Sequence, residues 1–202
     1  MTANLKVSLP KTARARGKIA PGLFAHIVYK TPRYEQMIDW YRTVLEAEVV
    51  LQNEMLCFMT YDDEHHRLAF ANQPQLKDKP ADCAGVEHCA YTYGSLADLA
   101  ATYVRLREVG ITPYWCINHG LTLSMYYRDP DANQIELQVD LFDSAAETTR
   151  WLEQSDFASN PLGVKFDPEE FVSRLERGDD LTDLLTRRII DPSELLDQLP
   201  DR

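Results

Sequence analysis

Hydrophobic positions along this chain change period once and then repeat the change. Leu23 to Lys30 is a short apolar run holding one histidine, His26, between Pro21-Gly22 and Thr31-Pro32, which predicts a buried strand. From Arg33 to Leu45 the apolar residues fall at Tyr34, Met37, Ile38, Tyr41 and Leu45, the spacing of one helix face. Residues 47–52, 55–61 and 66–71 follow as three strands, so the first unit reads β-α-β-β-β. Asn72 to Gly85, with Pro74 and Pro80, reads as a loop.

The pattern then restarts. Val86 to Tyr93 predicts a strand carrying His88, and Ser95 with Asp98 three residues later predicts a capped helix start. Leu96, Leu99, Tyr103 and Leu106 line one face, and Gly110 ends the helix. Strands near 113–117, 122–128 and 134–139 complete a second β-α-β-β-β unit. A shift of 62 residues lays His26 on His88 and Tyr41 on Tyr103. One offset joined to one element order indicates internal duplication.

The charge divides the chain. The net charge is −11, yet residues 1–20 carry Lys6, Lys11, Arg14, Arg16 and Lys18 with no acid. This basic stretch predicts a flexible tail, since Pro10 and Gly17 interrupt it and no apolar segment follows. The acidic remainder repels phosphate backbones, which argues against nucleic-acid binding. Cys57, Cys83, Cys89 and Cys116 have no zinc-finger spacing, and no apolar run is long enough for a membrane span. A cytoplasmic protein with free thiols is expected. Residues 141–202 carry 15 acids against 7 bases. Ser144 caps a helix through Leu152, and Asp167-Pro168-Glu169-Glu170 is a second helix start. They predict an acidic helical extension packed on the domain or on a partner.

Chemistry concentrates between His119 and Glu136. Asp129-Pro130-Asp131-Ala132-Asn133 is a turn between two strand-forming runs, hence a hairpin. In its second strand Gln134, Glu136 and Gln138 alternate with Ile135, Leu137 and Val139, so Glu136 lies on the polar face. A lone Glu among glutamines reads as solvated surface. Here histidine, tyrosine and carboxylate recur around one hairpin, with Glu136 ten positions after Tyr126.

This stretch resembles the type I extradiol ring-cleavage dioxygenases of the vicinal-oxygen-chelate superfamily. The family has glycine in the turn where this chain has Ala132. Alanine in a left-handed conformation costs about 1–2 kcal/mol, which moves the expectation for that conformation to Asn133. The resemblance covers roughly residues 22–140 and implies an α+β fold: two βαβββ modules forming one curved mixed sheet, an internal metal cleft, helices outside and the C-terminal helical extension. The division is a tail over 1–20, a domain over 21–140 with modules 21–73 and 85–140, and the extension over 141–202.

His26, His88 and Glu136, on the first strand of each unit and the last strand of the second, make a two-histidine, one-carboxylate set that suits non-haem Fe(II). It matches the extradiol metal site, and the same triad holds Mn(II). The strand from His66 to Ala71 offers no carboxylate, so one metal site is expected. The segment His65-His66-Arg67-Leu68-Ala69-Phe70 resembles the family segment whose second histidine is the acid-base catalyst, which gives His66 that role with His65 as the fallback. His119 and Tyr126 match the pair that hydrogen-bonds substrate and intermediate oxygens.

The implied reaction is ring cleavage of a catechol, such as a 2,3-dihydroxybiphenyl-like diol, by dioxygen at Fe(II). Tyr91, Trp115 and Phe70 are aromatic candidates for the pocket. The expected partners are the catechol, dioxygen and further copies of the chain, with neither nucleic acid nor membrane. Two alternatives stand beside this reading: a metal-dependent thiol transferase of the fosfomycin-resistance type, and a metal-free drug-binding resistance protein. The first gives no reason for the His119–Tyr126–Glu136 hairpin or the His65-His66 pair, and the second leaves His26 and His88 unexplained.

Overall fold

A computed structural model describes residues 12, 14, 17, 19–80, 82–155 and 157–200. In the first unit, strand β1 (Ile27–Thr31) leads into helix α1 (Tyr34–Leu45), followed by β2 (Glu48–Gln52), β3 (Leu56–Thr60) and β4 (Leu68–Asn72). The sheet order is β1-β4-β3-β2, with β1 parallel to β4 and the other pairs antiparallel. In the second unit, β5 (His88–Thr92) and α2 (Leu96–Glu108) precede β6 (Trp115–Asn118), β7 (Thr122–Arg128) and β8 (Gln134–Asp140). Their order is β5-β8-β7-β6, again with the first and last strands parallel. Both helices begin as the sequence predicts, and the Ser95 hydroxyl accepts the Asp98 N–H at 3.1 Å.

Strand alternation puts apolar side chains on one face of each sheet, under the helices. Cys57, Met59, Leu68 and Phe70 of the first unit and Met125, Tyr127, Ile135 and Leu137 of the second share one core with Met37, Tyr41, Leu99 and Leu106. Each fully buried large apolar side chain there contributes about 1.5–3 kcal/mol. The face opposite the helices carries the polar alternates.

The curved sheet is built as two ladders that meet through side chains. At the seam between β1 and β5 the Tyr29 hydroxyl donates to Cys89 Sγ at 3.3 Å. Arg105 donates to the Thr43 and Val44 carbonyls at the end of α1, where a helix leaves carbonyls without internal partners.

The segment before Ile27 corrects the expectation of a buried strand carrying His26. Leu23 and Phe24 are 60% and 72% exposed, and His26 precedes the strand. The parallel pairing starts at Ile27 and Leu68, so no neighbouring strand reaches the earlier residues. The Arg67 guanidinium takes the Phe24 and Ala25 carbonyls instead. The tail expected over residues 1–20 lies largely outside the described residues.

The C-terminal region packs back on the second unit. It comprises α3 (Ala145–Gln154), β9 (Val164–Lys165), α4 (Pro168–Arg177), α5 (Thr182–Leu185) and a 3-10 turn at Pro192–Gln198. Strand β9 adds a fifth strand to the second sheet by pairing with β6, which the periodicity does not predict. Phe171 of α4 is wholly buried, and Glu169 accepts from the Tyr103 hydroxyl at 2.7 Å and pairs with Arg107 of α2. Among the described residues no helix is long and apolar enough to cross a membrane.

Candidate active site

The hairpin of β7 and β8 sets Tyr126 directly opposite Glu136. Both lie on the face away from the helices, because Met125, Tyr127, Ile135 and Leu137 take the core side. The turn corrects one expectation: Ala132, not Asn133, adopts the left-handed conformation, at φ 61°. Asp129 explains how. Its Oδ1 accepts the N–H groups of Asp131 and Asn133, both at 2.9 Å, and its Oδ2 accepts from the Asn133 amide at 2.8 Å and the Tyr41 hydroxyl at 3.1 Å. Four donors on one buried carboxylate outweigh the strain at one alanine.

Glu136 is 4% exposed. Its Oε2 lies 3.0 Å from His88 Nε2 and its Oε1 lies 3.9 Å from His119 Nε2. The Tyr126 hydroxyl is 3.1 Å from the same His119 nitrogen. His88 stands edge-on to the Tyr126 ring at 5.3 Å, and Trp115 closes the group at 4.8 Å from Tyr126 and 5.7 Å from His119. Burial, reinforced by Glu136, raises the Tyr126 phenol well above its ordinary value, so it keeps its proton. Burial lowers the His119 imidazole, against the pull of Glu136 toward the charged form.

His119 Nδ1 meets the Leu162 carbonyl of the C-terminal region at 2.5 Å. Sequence reasoning missed this partner, although Asn160-Pro161-Leu162-Gly163 is a recognisable turn.

A second group lies on the matching face of the first sheet. Phe58 takes the open side, since its neighbours Cys57 and Met59 are in the core. His66 stacks on Phe58 at 4.5 Å, and His26 stacks on His66 at 4.3 Å. His65 Nδ1 lies 2.6 Å from His66 Nδ1, with the His65 side chain 69% exposed. Burial, with His26 and His65 adding to it, lowers the His66 imidazole, which keeps it neutral at neutral pH.

The structure therefore brings His88, Glu136, His119 and Tyr126 together and sets His26, His65 and His66 as a separate cluster. Among the described residues no three His, Cys, Asp or Glu side chains converge as a metal cage. The donor types of His26, His88 and Glu136 nevertheless suit Fe(II), and His88 already meets Glu136. A cavity of about 300 Å³ between the edge strands is lined by Val28, Tyr29, Lys79, His88 and Gln134. Of the three aromatic pocket candidates, Trp115 flanks the site. Phe70 is wholly buried in the core, and Tyr91 packs against it.

Known proteins match this architecture. The profile described as the Glyoxalase/Bleomycin resistance protein/Dioxygenase superfamily matches residues 23–137. Biphenyl-2,3-diol 1,2-dioxygenase 2 of Rhodococcus globerulus is 45% identical over 156 residues, covering 77% of this chain and 82% of that protein. Biphenyl-2,3-diol 1,2-dioxygenase 3 of the same organism is 38% identical over 165 residues, covering 81% and 87%. The crystal structure of a glyoxalase/bleomycin resistance protein/dioxygenase from Nocardioides superposes with a TM-score of 0.51 at 16% identity. That overlay covers 65% of this chain and 91% of that one, a likeness of fold.

Proposed function

Because the chain belongs to the glyoxalase/bleomycin resistance protein/dioxygenase superfamily, we propose that it is an extradiol dioxygenase. It opens the ring of a catechol of the biphenyl-2,3-diol kind beside the two hydroxyls, and both atoms of dioxygen enter the product. The observation that carries this reading is the meeting of His88, Glu136, His119 and Tyr126 on one face of one sheet.

In this reading His88 and Glu136, with His26 from the first unit, would hold Fe(II), and Mn(II) suits the same donors. When bound, the ion supplies open positions for two adjacent hydroxyls and lowers their pKa. The chain's own groups do the rest. The Tyr126 oxygen accepts a hydrogen bond from a hydroxyl of the substrate, while its own proton is held by His119 Nε2, which fixes the direction of that phenol. His66, neutral at neutral pH, takes a hydroxyl proton and returns it after cleavage. The rings of Trp115 and Tyr126 exclude water from one side of the site. The proposal extends to a cytoplasmic, homo-oligomeric enzyme, and the four free cysteines support a reducing compartment.

The test is anaerobic reconstitution with Fe(II), and in parallel with Mn(II), followed by aerated catechols that include biphenyl-2,3-diol. The expected result is uptake of one dioxygen per diol with growth of a yellow ring-opened product. Thiol addition to fosfomycin with no oxygen uptake on any diol would overturn the reading.

A further inference from the structure

We propose that the turn at residues 160–163 is a positioning element that fixes which nitrogen of His119 carries the proton. The inference rests on His119 being a residue of the active site. A carbonyl oxygen only accepts, so the Leu162 carbonyl requires a proton on His119 Nδ1. A neutral imidazole has one N–H, which leaves a lone pair on Nε2. That lone pair faces the Tyr126 hydroxyl at 3.1 Å, so Tyr126 must donate to it. In the other tautomer Nε2–H would point at the phenol oxygen, and Tyr126 would have to turn its proton elsewhere. The turn thus sets the sense of the hydrogen-bond chain from Leu162 through His119 to Tyr126.

The turn is built for close approach. Asn160 is 4% exposed and closes it on both sides: its amide donates to the Gly163 carbonyl at 2.8 Å, and its Oδ1 accepts the Gly163 N–H at 2.9 Å. Gly163 has φ +112°, and a Cβ there would lie 2.2 Å from the Asn118 carbonyl oxygen, so only glycine permits this contact. On the far side of His119, a Cβ on Gly120 would lie 2.4 Å from the Trp151 ring. Arg187 stacks on that ring at 4.9 Å and donates to the Asn160 carbonyl at 2.6 Å. Val164 pairs with Asn118 in the ladder. Residues 118–120 are bracketed by the C-terminal region on both flanks.

The experiment uses full-length protein labelled with ¹⁵N-histidine, free of metal, read by long-range proton–nitrogen correlation. Wild type is expected to show His119 as the single Nδ1–H tautomer, and Asn160→Ala to show a mixture of the two. Once loaded with Fe(II), Asn160→Ala should lose on the order of ten- to a hundredfold in kcat, the worth of a small misplacement, with KM and iron content within twofold of wild type. An Nε2–H tautomer in wild type, or an unchanged single tautomer in a folded Asn160→Ala, overturns the proposal. If Asn160→Ala fails to fold, Arg187→Met keeps an aliphatic cover over Trp151 and removes the bond to the Asn160 carbonyl together with the guanidinium's contacts to the Trp151 and Phe157 rings. It should raise the minor tautomer, and an unchanged spectrum overturns the proposal equally. Failure of the dioxygenase reading would instead appear as absent oxygen uptake in wild type, with the nitrogen spectrum unaffected.

Discussion

At the place where the first sheet holds Ala69, the second holds Glu136. The correspondence follows from the ladders: Val28 and Phe58 flank Ala69, and Ala90 and Tyr126 flank Glu136. Val28 and Ala90 are separated by the same 62 residues as His26 and His88. The two units thus share a scaffold and differ in what they hang on its open face. The first offers a methyl and a phenyl ring where the second offers a carboxylate and a phenol. The second unit is also extended by β9 and overlaid by the C-terminal region. One scaffold presents two equivalent faces, and the carboxylate and phenol lie on the one with the extra strand.

The sharpest way to break that asymmetry is Glu136→Ala, which makes the two faces alike. Fe(II) affinity should fall by more than about 100-fold, beyond the usual cost of losing an outer partner, with turnover lost and circular dichroism unchanged. The converse change, Ala69→Glu, should not raise the iron content above that of wild type, since its ladder neighbours Val28 and Phe58 offer no metal ligand.

Next in size is the contribution of the first face. His66→Gln should lower kcat by a factor on the order of 10²–10⁴ while iron content and KM stay near wild type. His65→Gln, at the more exposed position, should be mild. A silent His66 with a crippled His65 would transfer the role to its neighbour.

Asp129→Asn attacks the turn that sets the second hairpin. An amide keeps one accepting oxygen, so two of the four donors lose their acceptor, and stability should fall by about 1–3 kcal/mol in denaturant titration.

Acid should weaken the anchoring of the C-terminal region. Arg107 and Tyr103 hold Glu169 below its ordinary value and so tie α4 to α2, while within the C-terminal region Arg174 brings Asp183 to about 2 and ties α4 to α5. Both folded-state values are depressed, so this contribution is complete above pH 4.5, the ordinary glutamate value, and is lost as pH falls toward about 2. Tryptophan fluorescence should report the change, because the Trp115 Nε1–H donates to the Gln198 carbonyl.

The smallest effect belongs to Ala132→Gly. It relieves about 1–2 kcal/mol of backbone strain but frees the unfolded chain by about 0.4–1 kcal/mol. The melting temperature should rise slightly.

Much of this was legible because local signals and tertiary demands agree. The Ser95 cap, the spacing of Tyr34, Met37, Ile38 and Tyr41, and the alternation from Gln134 to Val139 are written within one element each. What could not be read depends on distant residues. A strand of two residues, Val164–Lys165, has no period to detect. Leu23 and Phe24 look like core, yet the partner strand ends before them. Ala132 looks excluded from its turn until the four donors around Asp129 are seen in place. The histidines at 26 and 88 share an offset, but a matched offset does not say that His26 precedes its strand and stacks on His66.

The seam between β1 and β5 has a consequence for how the molecule opens. Backbone pairing ends at each unit's own edge, and the bridge at that edge is a phenol on a thiol. Amide protection against deuterium should therefore fall into two groups, one per ladder, since cooperative opening follows contiguous hydrogen-bonded units. β1 and β5 border that seam, so its loosening would leave both ladders whole while separating the chain's two histidine groups.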